Sequence, residues 1–240
     1  MNKNAYIGKN VETLFKNSII DHQEIISKIQ NSFKIKGGLI TAINSGVHNE
    51  KVDVKLEFAC GRNIDANVKA FKIGLNQLTR TTPKKFCEDF NLDCLDWLQN
   101  LVIEKARQGK KKYDFFPINE REKAILIFSP IIENIIERSM SFKKAREILV
   151  LYDRQESVMH IYTMKTILKN LKYDISFTSH GGNLLIGDLI TLKRKGGNGK
   201  LCNHKSKIDP THPGNDIQLQ LKMHEFVKQM KKHELGNYFI

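Results

Sequence analysis

Between Val52 and Ile73 the chain carries a pattern that a β-hairpin accommodates with one face buried. Val52, Val54, Leu56 and Phe58 alternate with Asp53, Lys55 and Glu57, and Gly61-Arg62-Asn63 is turn chemistry. From Ile64 to Ile73 the return strand places Asp65, Asn67 and Lys69 on one face, with Ala66, Val68 and Ala70 on the other. A pleat with a period of two leaves little freedom of register, because a slip of one residue would expose the whole apolar set.

Around this hairpin the periodicity predicts helix from Phe15 to Phe33, from Pro83 to Arg107 and from Glu120 to Ser139, with a shorter helix over Phe142 to Leu149. Leu39 to Ile43 reads as a short extended run, and Asn44 to Glu50 as a loop. Val158 to Met164 reads as a strand running into a helix that ends near Leu171. Further strands are expected at Ile175 to Thr178, Leu184 to Leu192 and Ile217 to Lys222. Without an internal repeat or a low-complexity linker, the expected fold is α/β. It is a single domain over residues 1–240 with a mixed central β-sheet flanked by helices: a hairpin over about 51–73, a helical middle over about 83–171, and strands with a basic loop over about 175–222.

Composition narrows the partners. Lys and Arg number 39 against 26 Asp and Glu, a formal charge of +13 that opposes compaction and calls for a polyanion. Nucleic acid leads, with an anionic membrane surface behind it. The longest apolar run, Ala124 to Ile136, is interrupted by Ser129, Pro130, Glu133 and Asn134 and is too short to span a bilayer. Met1 to Lys16 lacks the layout of a secretory signal. Cysteines at 60, 87, 94 and 202 form no CxxC pair, so a reducing cytoplasm is expected rather than a disulfide framework. Cys202, His204 and His212 lack the fourth ligand and the paired cysteine of a zinc site. The chain shows no HExxH and no nucleophile elbow.

The hairpin also carries a chemical constellation. Paired strands lie roughly 4.8 Å apart, so Asp53 can meet Asn67-Val68-Lys69 at one end of the hairpin. A carboxylate holds a hard divalent cation, the Val68 carbonyl can add a ligand, and a lysine can position water and offset charge on a phosphate. Spacing alone leaves a solvated strand face open. It also leaves Asp65 or Glu57 as alternative acids, either of which can instead pair with Arg62 or face solvent.

The segment VDVKLEFACGRNIDANVKAFKIGLNQLTR, Val52 to Arg80, resembles the core of the PD-(D/E)xK nuclease superfamily. Within it, the chain is similar to the small type II restriction endonucleases that cut GCGC (HinP-type) and CCGG (Msp-type). The resemblance implies Asp53 as a metal-binding aspartate, Lys69 as the catalytic lysine and Asn67 where most of the superfamily has Asp or Glu. An amide is a weaker ligand than a carboxylate, which puts a second tightly held metal in doubt. Gly8, Glu12 and Phe15-Lys16-Asn17 resemble the amino-terminal helix of those enzymes, which makes Glu12 a metal-proximal acid, and Asn44-Ser45-Gly46 matches the segment before the aspartate strand. Asp174-Ile175-Ser176 and the run Ile186 to Gly199 match a late segment of the same subgroup in the same order.

What the resemblance implies is Mg²⁺-dependent cleavage of double-stranded DNA at a short palindrome, a GC-rich four-base-pair site such as GCGC, leaving 5′-phosphates. Mn²⁺ is expected to substitute. A methyltransferase of matching specificity is the implied functional companion, and monomer and homodimer both stay open. The late basic stretch supplies the expected DNA contacts: Lys193, Arg194, Lys195, Asn198, Lys200, Lys205 and Lys207, with glycines that let backbone approach a duplex. Gln218, Gln220 and Lys222 are candidates on a neighbouring strand face. Lys105, Arg107, Lys110 and Lys111 form a second basic run that is equally a solvated helix end. After Gly74, the subgroup's counterpart of Leu75-Asn76-Gln77 meets DNA near the cut, so Leu75 is either a wedge between base steps or a core residue. Competing readings are a non-catalytic basic DNA-binding protein and a non-specific or repair nuclease.

Overall fold

The computed structural model describes residues 3–44, 53–72, 74–108, 114–141, 147–197, 202 and 204–240, with the side chains of 3–5 and 141 outside that description. The first part of the chain forms α1 (Lys3–Ser18), α2 (Gln23–Phe33), β1 (Leu39–Asn44), β2 (Val54–Phe58), β3 (Asn63–Phe71) and β4 (Leu75–Thr81). The middle forms α3 (Pro83–Phe90), α4 (Leu95–Arg107), α5 (Arg121–Phe128), α6 (Ile132–Ser141), β5 (Ile148–Asp153), β6 (Val158–Thr163) and α7 (Met164–Asn170). The last part forms β7 (Ile175–Phe177), β8 (Leu184–Ile186), β9 (Ile190–Arg194), β10 (Ile217–Lys222), α8 (Met223–Met230) and β11 (Gly236–Phe239).

The fold is α/β, and its strands divide between two sheets where one central sheet was expected. Two compact units result, one of Met1–Gly74, Met140–Leu171 and Met223–Ile240, the other of Leu75–Ser139 and Lys172–Lys222. The first holds a six-stranded sheet in the order β1-β2-β3-β5-β6-β11, mixed because β3 and β5 run parallel. The second holds an antiparallel five-stranded sheet in the order β4-β10-β9-β8-β7. The expected hairpin lies whole in the first unit and the expected late segment in the second, while the expected helical middle is divided between them.

In the first unit the hairpin forms with Val54 opposite Ala66 and Glu57 opposite Asn63. Val54, Leu56 and Phe58 are buried while Lys55 and Glu57 are half-buried. Val11 and Phe15 of α1 and Ile25, Ile26 and Ile29 of α2 bury their faces with these strands, each such side chain worth about 1.5–3 kcal/mol. Residues 142–146 lie outside the described residues, but Ile148 and Leu149, expected in a helix, begin β5. Ile148, Leu149, Val150 and Leu151 are all buried, and a short run covered on both faces cannot be told from a buried helix by periodicity.

The second unit corrects three expectations. The helix predicted from Pro83 to Arg107 is two helices, because Asn91 adopts the left-handed conformation (φ 51°) that caps α3. The helix from Glu120 to Ser139 breaks at Pro130, whose ring cannot continue the ladder of α5. The strand from Leu184 to Leu192 is a hairpin turned by Gly187 (φ 51°) and Asp188 (φ 61°); a Cβ on Gly187 would stand 2.2 Å from the Lys172 carbonyl oxygen. Leu75, Asn76 and Gln77 open β4 at the edge of this sheet, where β10 supplies the register.

Candidate functional site

Asp53 immediately precedes β2 and continues its register, donating its backbone N–H to the Ala66 carbonyl at 3.1 Å. That places its side chain opposite Asn67. The Asp53 Oδ2 accepts from Asn67 Nδ2 at 2.5 Å and from the Val68 N–H at 2.8 Å, and Lys69 Nζ stands 3.6 Å away. Asn67 is only 2 % exposed, so its amide is fixed, while the Asp53 and Lys69 side chains remain 19 % and 29 % exposed. The strand pleat that buries Val54 and Ala66 thus presents a carboxylate and a lysine together at the open end of the hairpin.

α1 adds Glu12. Val11 and Phe15 anchor this helix in the core, and Glu12 lies half-buried where it senses both Asp53 and Lys69. Burial, and then the Asp53 charge, push the Glu12 carboxyl above the ordinary glutamate range, against the opposing charges of Lys69 and Lys9. Glu57 lies opposite Asn63 at the turn end of the hairpin, four residues from Asp53 and so roughly 13 Å away. Arg62 pairs with Glu147, and the Asp65 N–H donates to Glu147 Oε2 at 3.3 Å. Among the described residues no group of three or more His, Cys, Asp or Glu side chains is placed to hold a metal ion. The oxygen donors here are two carboxylates, Asp53 and Glu12, beside the β3 backbone.

The expected DNA-contacting residues fall in the second unit. Leu75, Asn76 and Gln77 open β4, with Leu75 46 % exposed, and Gln77 Oε1 accepts from Gln218 Nε2 at 2.7 Å. Lys193 and Arg194 end β9 and Lys195 follows; burial holds all three below their ordinary values. For Lys195, the neighbouring Arg80 and Arg194 add to that shift and Asp216 opposes it. Lys105 of α4 is likewise lowered by burial, with Asp114 opposing and Arg194 adding. Lys205 Nζ donates to Thr211 Oγ1 at 2.8 Å, and Lys207 is exposed. Asn198, Lys200, Lys110 and Lys111 lie outside the described residues.

Two side chains that bind this surface together had no sequence signal of their own. Asn215 is fully buried and joins Arg194 to the carbonyls of Lys207 and Asp209, and Arg80 pairs with Asp216. The only local cue was turn chemistry at His212-Pro213-Gly214. His212 Nδ1 accepts the Gly214 N–H at 2.9 Å, a turn-capping role. No helix among the described residues is long and apolar enough to cross a membrane.

No protein-family model matches the chain, and no curated protein matches it. Among solved structures it is similar to restriction endonuclease MspI in complex with its cognate DNA, at 10 % sequence identity and a TM-score of 0.47, over 82 % of this chain and 77 % of that chain.

Proposed function

We propose that the chain is a Mg²⁺-dependent endonuclease of the PD-(D/E)xK type that cuts double-stranded DNA at a short palindrome, as a type II restriction enzyme. One observation carries this reading. Asp53 is gathered with Asn67, the Val68 amide and Lys69 at the end of the hairpin, with Glu12 beside it.

The donor set suits a hard divalent cation. Burial and like charge both disfavour an ionised Glu12 near Asp53, and a divalent cation bound at this site would relieve that penalty. Asp53 and Glu12 would hold it, and the Val68 carbonyl would assist, because a strand residue directs its N–H and C=O to the same side. When bound, Mg²⁺ polarises the phosphate and lowers the pKa of coordinated water. Lys69 Nζ stands 3.6 Å from the Asp53 carboxylate, where it would orient the attacking water and offset charge developing on the phosphate. Asn67 locks the Asp53 carboxylate in place through its buried amide. The Lys193 to Lys207 stretch supplies cations for phosphates, which fix position without specifying sequence.

The finer assignment follows the sequence resemblance: the HinP-type and Msp-type subgroup, a GC-rich four-base-pair site, 5′-phosphate ends, Mn²⁺ as a substitute, and a methyltransferase guarding the host's own sites. The test is incubation of plasmid with the purified chain, with and without Mg²⁺, followed by sequencing of the cut ends. Discrete fragments dependent on the cation are expected. A gel shift with no cleavage in Mg²⁺ or Mn²⁺ would leave a DNA-binding module, and a featureless smear a non-specific nuclease.

A further inference from the structure

Two consecutive residues, Asn215 and Asp216, hold two arginines in different electrical states. Asp216 Oδ2 accepts from Arg80 Nε at 2.5 Å, and a second Arg80 nitrogen reaches the Pro213 carbonyl at 3.5 Å. Arg80 is therefore neutralised. Asn215 Oδ1 accepts from Arg194 Nε at 2.8 Å, and an amide carries no charge to offset the guanidinium. Among the described residues no carboxylate pairs with Arg194, and the sequence from 195 to 207 contains no acid.

The amide cannot turn. Asn215 is 0 % exposed, and its Nδ2 donates to the Lys207 and Asp209 carbonyls at 2.9 and 2.7 Å, which fixes the oxygen toward Arg194. The backbone locks the same two segments together: Lys195 N–H donates to the Asp216 carbonyl and Gly196 N–H to the Gly214 carbonyl, each at 2.8 Å. A side chain at Gly214 would meet the Gly197 carbonyl oxygen at 2.8 Å, so the approach depends on glycine. With Nε engaged, the two terminal nitrogens of Arg194 form a fork whose plane is set in advance. Burial leaves that fork half-desolvated and electrostatically unanswered.

We propose that Arg194 reads a guanine through the O6 and N7 of its major-groove edge, and that Asn215 is the positioning residue that aims it. A planar fork with two donors matches those two acceptors. Phosphate contact needs charge but no fixed plane, and the exposed Lys207 already offers such charge. The inference rests on DNA being the ligand, as proposed above, and is independent of whether the chain cuts it.

The experiment selects duplexes from a randomised pool with the full chain in Mg²⁺-free buffer, then replaces each selected guanine in turn by 7-deazaguanine, which lacks N7. Wild type should lose roughly ten- to hundredfold in affinity at one guanine. Arg194→Met should lose a similar factor on the unmodified duplex and become indifferent to the missing N7. Asn215→Ala should show the same indifference by losing the aim, and so should Asn215→Ser, whose hydroxyl can still donate to one of the two carbonyls without reaching Arg194, which keeps the positioning role testable if the alanine variant does not fold. A folded Asn215 variant with full N7 sensitivity overturns the positioning role. Arg194→Met weakening all duplexes alike, with the N7 penalty intact, makes Arg194 a phosphate contact and overturns the reading. So does a selected site without guanine, or no retained duplex. N7-sensitive binding without cleavage in Mg²⁺ removes the nuclease and leaves this inference standing.

Discussion

The two compact units treat half-buried charge in opposite ways. In the first, Asp53 accepts from Asn67 and Val68 beside Lys69, Arg62 meets Glu147, and Glu234 gathers His160, Tyr162 and Asn237. In the second, Arg80, Arg121 and Arg138 have aspartates, yet Lys193 and Arg194 carry a burial penalty with no opposing charge among the described residues to relieve it. Their interiors differ as well. Mostly aliphatic side chains surround Phe15, Phe58 and Tyr238 in the first, while Trp97, Phe116 and Phe128 meet at ring-centroid distances of 6.0–6.2 Å in the second. A desolvated cation without an opposing charge is unfavourable in a free protein. On the function proposed above, DNA would supply the missing anion in the second unit, and the bond-breaking groups would be those gathered at Asp53 in the first.

That contrast breaks most directly at the hairpin. Asp53→Asn and Lys69→Ala should each reduce cleavage by at least about 10²–10³-fold while DNA affinity, measured without Mg²⁺, stays within a few-fold of wild type. Near-normal cleavage in either variant would remove the site assignment. Loss of binding along with cleavage, in a folded variant, would mean that chemistry and DNA capture are not divided as the two kinds of charge suggest.

A smaller effect tests the neutralised interior of the first unit. Burial by itself would raise the Glu234 pKa, but hydrogen bonds from His160, Asn237 and Tyr162 outweigh it and bring the carboxyl below the ordinary glutamate range. A depressed folded-state pKa contributes stability that is complete above the unfolded value and is lost as pH falls through the folded one. Glu234→Gln should therefore cost about 1–3 kcal/mol at neutral pH, and the gap to wild type should close on acidification below the ordinary glutamate range. Urea unfolding at a series of pH values measures both. A gap that does not change with pH would show that the carboxylate charge contributes nothing.

Legibility in the sequence followed how local each feature is. The hairpin could be read because alternation and a glycine turn fix its register, and with the register comes the meeting of Asp53 and Asn67. β5 could not, since a run buried on both faces has no period. The helix breaks at Asn91 and Pro130 were present in the residues but masked by apolar spacing that continues across them. Asn215 lay beyond reach for another reason: its role exists only because three separate segments converge on it.

The smallest expected effect concerns Leu75, for which the sequence left a wedge into DNA and a core position equally open. The structure places it at the first position of β4, opposite Lys222 and 46 % exposed. A core leucine truncated to alanine loses about 2–5 kcal/mol through the cavity it leaves. An edge-strand leucine in half-contact with water has no such cavity, and surface changes of this kind stay within about 0.5 kcal/mol. Leu75→Ala should therefore leave thermal stability almost unchanged, and a large loss would contradict its exposure. The wedge remains a separate matter. Leucine has the volume to part a base step but no flat face to stack there, so any unstacking should be shallow. A 2-aminopurine at the central step of the selected duplex reports it: fluorescence should rise modestly on binding wild type and not on binding Leu75→Ala, with a matching loss of cleavage. Equal signals from the two proteins, at equal activity, would make Leu75 an exposed residue that the DNA does not feel, and would leave reading in the second unit to its cations and amides.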